Sequence, residues 1–351
     1  MIAGSEVLEL GELKIGVIGC GSITEWAHLP VLTGPDIVIP TEGEDLPYRT
    51  LETEKPKVLP RVVALCDLNL NRLNKLGDRY NISRRFTDYR RMLNEVKLDA
   101  LVVAAGHKFN VEIIPQAIER RLHIFVEKPM TSTLREALEI RRIVEGSGIV
   151  FQVGFMRRFY YAYRNAKRLI FNGEIGEIQA LSGRFWSGRK DDLLNNGIHI
   201  FDIIQFLAGP VIEVYAKSHG DNIALIMEFE NGAVGNLLLA HTGITISVHE
   251  RIEIVGSEGK TLVAENGRRL YLSRGGRQPL QSWEPSHIAH TITGYNIAGF
   301  AGELRHFVNC ISSNTQPIAG VESGVYSIRL KEGIEKSLDE GKAIKLSDLE
   351  L

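Results

Sequence analysis

Leu13-Lys14-Ile15-Gly16-Val17-Ile18-Gly19-Cys20-Gly21-Ser22-Ile23-Thr24 is the stretch on which the reading of this chain turns. It begins as a short apolar run, passes through two glycines, and opens into helical spacing over residues 22–32. A buried strand feeding a helix through Gly19-x-Gly21 has the layout of a dinucleotide-binding turn. Gly19 permits the tight turn, and Gly21 lets a pyrophosphate approach the backbone. The helix start at Ser22 and Ile23 offers N–H groups and a positive dipole end to the phosphates. Thr24 stands where a third glycine or alanine is usual. A ligand-free glycine turn is the competing reading, so the surroundings must decide.

Outward from this turn, apolar runs alternate with helical patterns. Strands are expected at 61–67, 100–105, 123–127 and 150–154, and helices at 69–80, 111–121 and 131–145. Continuous apolar strands separated by helices predict a parallel sheet covered on both faces. Residues 35–60, with Pro35, Pro40, Pro47, Pro56 and Pro60, are too long for an ordinary connection and read as a surface insertion. The second half changes character. Strands at 177–186, 211–218, 224–230, 233–240, 250–256 and 261–265, with Asn231-Gly232 and Asn266-Gly267 as hairpin turns, predict an antiparallel sheet. Helices near 300–313 and 321–340 are expected to close the chain.

The 351 residues suit about two domains. With 41 basic and 43 acidic residues, net −2, no charge footprint for nucleic acid or a membrane surface exists. Cys20, Cys66 and Cys310 are few, odd in number and widely spaced, which predicts buried thiols in a reducing, cytoplasmic setting. Neither a signal peptide nor a membrane span is expected.

Three further positions carry chemistry. Asp67 ends the second strand, where a carboxylate can accept from an adenosine ribose diol and repel a 2′-phosphate, favouring NAD over NADP. The separation from Gly19 exceeds the usual ~20 residues because of the insertion. Asp67 also reads as a cap for the helix beginning near Asn69. Glu127-Lys128-Pro129-Met130 follows a strand at the carboxyl edge of the sheet, where ligands bind in open α/β folds. A lysine there can donate to a substrate oxygen. Asn195-Asn196-Gly197-Ile198-His199 runs into a helix, with either asparagine as its cap. His199 in the first turn would be kept neutral by the helix dipole, as a general base requires. A packed structural histidine is the competing reading. Arg184, Arg189 and Lys190, with Trp186 between them, could meet an anionic substrate group; a solvated loop is the competing and favoured reading. His287-Ile288-Ala289-His290 lacks supporting ligands, so no metal is expected.

Taken together, Gly19-Cys20-Gly21-Ser22-Ile23, Glu127-Lys128-Pro129-Met130, Val153-Gly154-Phe155-Met156-Arg157-Arg158-Phe159, Gly173-Glu174-Ile175-Gly176-Glu177, Gly197-Ile198-His199, Val255-Gly256-Ser257-Glu258-Gly259 and Glu303-Leu304-Arg305-His306-Phe307 resemble the glucose–fructose oxidoreductase / inositol dehydrogenase / MocA family. They occur in the family's order and span nearly the whole chain. The resemblance implies a Rossmann domain at residues 1–130, carrying the 35–60 insertion. A substrate-binding and oligomerisation α/β domain with a large, open-faced, mostly antiparallel sheet would follow at 131–351. It implies NAD-dependent hydride transfer, NADP being disfavoured, at a hydroxyl carbon of a sugar or cyclitol, in a homodimer or homotetramer. By the same analogy Lys128 positions the hydroxyl and His199 takes its proton, with Asn195 beside them. Gly19, Gly21, Ser22, Ile23, Asp67, Ala105, Glu127 and Lys128 hold the cofactor, and Arg157, Arg184, Trp186 and Arg189 face the substrate.

The chain also departs from the pattern. The family's Asp-x-Gly-x-His here begins with Asn195, which can orient the imidazole but cannot stabilise its cation. A less basic His199 follows, with Asp202 as a candidate substitute. The Thr-Pro-Asn-x-x-His loop reads Ala105-Gly106-His107-Lys108-Phe109-Asn110. A nucleotide-sugar 3-dehydrogenase and a non-catalytic dinucleotide-binding regulator are the competing functions.

Overall fold

A computed structural model describes residues 11–34, 58–187, 193–241, 249–284 and 299–349. The chain forms two compact units. The first gathers the described residues of Met1–Glu127, Ile143–Gly154 and Phe300–Gly320; the second gathers those of Lys128–Arg142, Phe155–Gly299 and Val321–Leu351. The chain crosses between these units several times, where a single boundary at 130 is expected from the sequence.

In the first unit, β1 (Gly11–Ile18), β2 (Val58–Cys66), β3 (Arg85–Phe86), β4 (Ala100–Val103), β5 (His123–Glu127) and β6 (Phe151–Gly154) form one sheet in the order β3-β2-β1-β4-β5-β6. Every pair is parallel. This is a doubly wound sheet, whose strand order reverses between β1 and β4. Its central strands are buried along their length, Ile15, Val17, Ala100, Leu101, Phe125 and Val126 among them. Burial on both faces explains why they read as unbroken apolar runs.

The expected helix at 22–32 is present but widened. Thr24–His28 forms a π-helical turn before α1 (Leu29–Thr33). Pro30 lies at the start of α1 and lacks an N–H, so the ordinary ladder is interrupted there. α2 (Leu70–Arg79) begins as expected, with Asn69 accepting from the amides of Asn71 and Arg72. α3 (Tyr89–Glu95) is capped by Asp88, and α4 (His107–Glu119) starts four residues before the expected 111. α5 (Leu134–Val144) is shorter than its prediction. The helix expected near 300–313 belongs to this unit: it meets the π turn, α1 and β2, with Trp26 and Phe300 edge-on at 5.5 Å. Most of the 35–60 insertion lies outside the described residues; 58–60 begin β2.

In the second unit, β7 (Ile178–Ser187), β8 (Val211–His219), β9 (Asn222–Phe229), β10 (Val234–His241), β11 (His249–Gly256), β12 (Thr261–Glu265), β13 (Arg269–Ser273), β14 (Gln281–Trp283) and β15 (Ile344–Lys345) form one sheet, in the order β14-β13-β12-β11-β7-β10-β9-β8-β15. Only the β7–β10 pair is parallel. β13, β14 and β15 are not among the strands expected from the sequence; the last two have only three and two residues. Burial alternates strictly along β9 and β10, so one face is covered and the other open. α6 (Tyr161–Phe171), α7 (Leu193–Ala208) and α9 (Val321–Glu340) pack with the sheet, while α8 (Phe300–Ser313) is the helix of the first unit named above. Asn266 and Gly267 have φ of 51° and 66°, the primed turn that their sequence predicts.

Candidate active site

In the first unit the glycine turn leaves β1 at the point where the strand order reverses. Gly19 has φ +99°, and a Cβ there would lie 2.4 Å from the carbonyl carbon and oxygen of Ala104. The turn therefore packs directly on the end of β4, beside Ala105. A Cβ at Gly21 would meet nothing within 4 Å, so the space in front of the turn is open for a phosphate. Ser22 and Ile23 open the helix, whose first N–H groups have no intrahelical acceptors. Thr24 suits its position: its buried hydroxyl donates to Gly19 O at 2.6 Å and ties the helix back to the turn.

Asp67 follows β2 with its carboxylate at this turn, accepting from Cys20 N at 2.6 Å and Asn69 N at 2.7 Å. Asp67 thus borders the turn and steadies the α2 start. An open Gly21, an undersized Gly19 and a strand-end carboxylate fit a dinucleotide. Gly19→Ala is expected to strain the turn by about 1–3 kcal/mol and to weaken NAD binding at least tenfold. Calorimetric titration checks this, and unchanged affinity would contradict the close-approach argument.

Glu127 ends β5 at 15% side-chain exposure, its Oε1 2.9 Å from Nε2 of the fully buried His28. Donor atoms of His28, Glu127 and Glu303 all lie within 4.8 Å of one another. These residue types can ligate a cation, although the sequence reading expects no metal. No local spacing announces this grouping, since Glu303 comes from α8.

The second unit holds Lys128 and His199. α7 begins at Leu193, so neither Asn195 nor Asn196 caps it. His199 is the seventh residue and lies in the second turn, beyond the first-turn dipole that the sequence reading invoked. It is nevertheless held neutral, for another reason. Burial pushes its pKa well below the ordinary value of 6.5, and the charges of Lys128 and Arg157 push it further. Its Nδ1 is buried without a hydrogen-bond partner. Asn195 sits one turn earlier, half-buried, on the same helix.

Asp202 does not orient His199. Its carboxylate accepts from Arg158 Nη2 at 2.6 Å and from Arg158 Nε at 2.9 Å, both side chains being buried. Arg157, the neighbour, pairs with Glu250 at 2.9 Å, with Phe185 and Tyr160 around its guanidinium. Burial works against the Arg157 charge, but Glu250, Tyr160 and Tyr163 together hold the proton above the ordinary range. Arg157 Nη1 remains buried and unpartnered, while the wholly buried Tyr163 lies beside Glu250. Burial, and then Glu250, raise the Tyr163 phenol well above its usual value, so it stays a neutral donor. Tyr163 is one of three tyrosines, with Tyr160 and Tyr161, for which the sequence leaves core packing or a place in the cleft open, whereas Glu250 carries no functional signal there. Glu250 alternates inward with Ile252 and Ile254 along β11, a period-two signal of a buried carboxylate.

Arg184 and Trp186 alternate with Leu181 and Phe185 along β7 and therefore face the open side of the sheet. Arg184 stacks on Trp186 at 4.8 Å and reaches Glu265 at 3.8 Å. The structure thus places Arg157 on the covered face, where Glu250 and Phe185 pair across β11 and β7, and does not bring Arg184 or Trp186 there. Arg189, Lys190 and His287–His290 lie outside the described residues.

The fold and cradle define a dinucleotide-binding protein of the doubly wound class. Residues 13–155 match the description "Oxidoreductase family, NAD-binding Rossmann fold", and 167–346 match "Oxidoreductase family, C-terminal alpha/beta domain". The chain belongs to the glucose–fructose oxidoreductase / inositol dehydrogenase / MocA oxidoreductase family, and NAD is its cofactor. It is 22% identical over 335 residues to myo-inositol 2-dehydrogenase of Thermotoga maritima, covering 86% of this chain and 96% of that protein. It is 24% identical over 310 residues to scyllo-inositol 2-dehydrogenase (NAD(+)) of Bacillus subtilis, covering 82% and 89%. Among solved structures, levoglucosan dehydrogenase in complex with NADH and L-sorbose has the same fold, with TM-score 0.81, 19% identity, and coverage of 96% and 99%.

Proposed function

We propose that the protein is an NAD-dependent dehydrogenase that oxidises a secondary hydroxyl of a sugar or cyclitol, reversibly. Inositol and levoglucosan dehydrogenases among its relatives and structural neighbours support this substrate class. The observation that carries the reading is the buried, neutral His199 of the second unit, whose pKa is lowered by burial and then by the charge of Lys128. A neutral imidazole can accept the hydroxyl proton, and an ammonium beside it opposes imidazolium while stabilising a developing alkoxide. NAD, when bound, supplies the hydride acceptor. Arg157 borders the base and is proposed to meet a substrate hydroxyl through Nη1, its one buried unpartnered nitrogen.

A panel of sugars and cyclitols with NAD tests the reading. A responsive substrate should lose about 10²–10³-fold in kcat with Lys128→Ala, the scale of a lost electrostatic contact to a developing oxyanion. Unchanged turnover removes Lys128 from the chemistry. The wild type should bind NAD more tightly than NADP, through the Asp67 carboxylate; equal affinities would overturn that assignment.

We further propose a homo-oligomer assembled through the open face of the second sheet. Ile226 (62% exposed), Val234 (58%) and Leu238 (42%) lie on that face beside charged neighbours. No helix of the described residues is long and apolar enough to cross a membrane, and we place the enzyme in the cytoplasm on its three buried, unpaired thiols.

A further inference from the structure

The glycine turn of the first unit is held from one side by two consecutive residues. Gly19 N–H donates to Cys66 O at 2.8 Å, and Cys20 N–H donates to Asp67 Oδ2 at 2.6 Å. The other carboxylate oxygen, Oδ1, accepts from Asn69 N at 2.7 Å, and Asn69 caps α2. One side chain therefore joins the phosphate-binding turn, the end of β2 and the start of α2. An ionised carboxylate has about four acceptor positions, so two engaged amides leave room for a ribose diol.

We propose that Asp67 is a positioning residue for the phosphate-binding turn, in addition to its place at the ribose. It fixes the Cys20 peptide so that the turn keeps its cradle shape before any ligand arrives. This rests on the reading of the first unit as the NAD site. Hydrogen bonds to an ionised acceptor are about twice as strong as neutral ones, and ordering the turn in advance removes a cost that binding would otherwise carry. No thiolate joins the carboxylate at this turn. Burial, and then the Asp67 charge itself, push the Cys20 and Cys66 thiols up to about 12, so neither becomes a thiolate beside the phosphates. It follows that Asp67 cannot be exchanged to admit a 2′-phosphate without loosening the turn that both cofactors need.

The experiment separates the two roles with ADP and 2′,3′-dideoxy-ADP, which share a diphosphate but not the diol. Asp67→Ala should weaken both ligands at least fivefold by calorimetry. In the ligand-free protein, its Cys20 and Asn69 amides should exchange hydrogen at least tenfold faster. Asp67→Asn, which keeps the shape and one carbonyl acceptor, should deprotect one of the two amides and fall between. If Asp67→Ala weakens ADP alone and leaves exchange at Cys20 unchanged, Asp67 reads only the ribose and the proposal fails. If the wild type binds neither nucleotide nor NAD, the dinucleotide reading fails instead, while the exchange data still decide whether the clasp exists.

Discussion

A His199→Asn protein is expected to oxidise its substrate about 10²–10⁴-fold more slowly than the wild type, the usual contribution of a positioned base. It should also lose the acid limb of the pH–rate profile. Burial is the first cause of the lowered His199 pKa, and Lys128 and Arg157 add to it. The base is thus ready across neutral pH, and the wild-type limb should lie below the free-histidine value of about 6.5. Stability follows the same linkage. The unfolded chain takes a proton at His199 as pH falls through about 6.5 while the folded chain does not. Stability is therefore full above that pH and declines below it until the folded pKa is passed. In His199→Asn this part of the acid destabilisation should vanish. Steady-state rates and thermal unfolding between pH 4 and 8, chosen on the order of two units either side of the free value, provide the check. A variant retaining the wild-type profile would place the base elsewhere.

The largest stability effect is expected at Asp202. Its carboxyl is raised by burial, and Arg158 pulls it back only in part, so the pair is a costly interior feature rather than a net staple. Breaking it is a different matter. Asp202→Leu leaves the Arg158 guanidinium buried between Phe155 and Phe206 with its carboxylate gone, and arginine cannot shed its proton. A loss of about 3–5 kcal/mol is expected, equivalent to roughly 10 °C in Tm for a unit of this size. Arg158→Met should cost less, because the stranded Asp202 can neutralise itself by protonation. The double variant should recover much of the loss, since apolar replacements of buried ion pairs are often tolerated. Unfolding midpoints of the three proteins decide this, and equal effects of the two single changes would contradict the asymmetry.

These effects show where the sequence is informative. The order of apolar runs and helices led to the doubly wound sheet, since strands buried on both faces must read as continuous apolar stretches. The Gly19 turn was legible because backbone geometry at a tight turn restricts residue type locally. Lys128 and His199 were visible through the resemblance, but the cause of His199's neutrality was not. α7 begins at Leu193 and places His199 in its second turn, so burial rather than the helix dipole keeps it neutral. Glu250 lies 93 residues from Arg157, so no local pattern announces their pairing.

The sequence by itself determined the fold class, the cofactor turn and the pair of residues proposed for the chemistry. Each depends on periodicity or on a short motif in which neighbours along the chain are neighbours in space. Only the tertiary structure decided that α8 returns to the first unit, that Arg184 and Trp186 turn to the open face, and that Asp202 serves Arg158. Those outcomes depend on which distant segments are packed together, and the resulting burial is what lowers the His199 pKa.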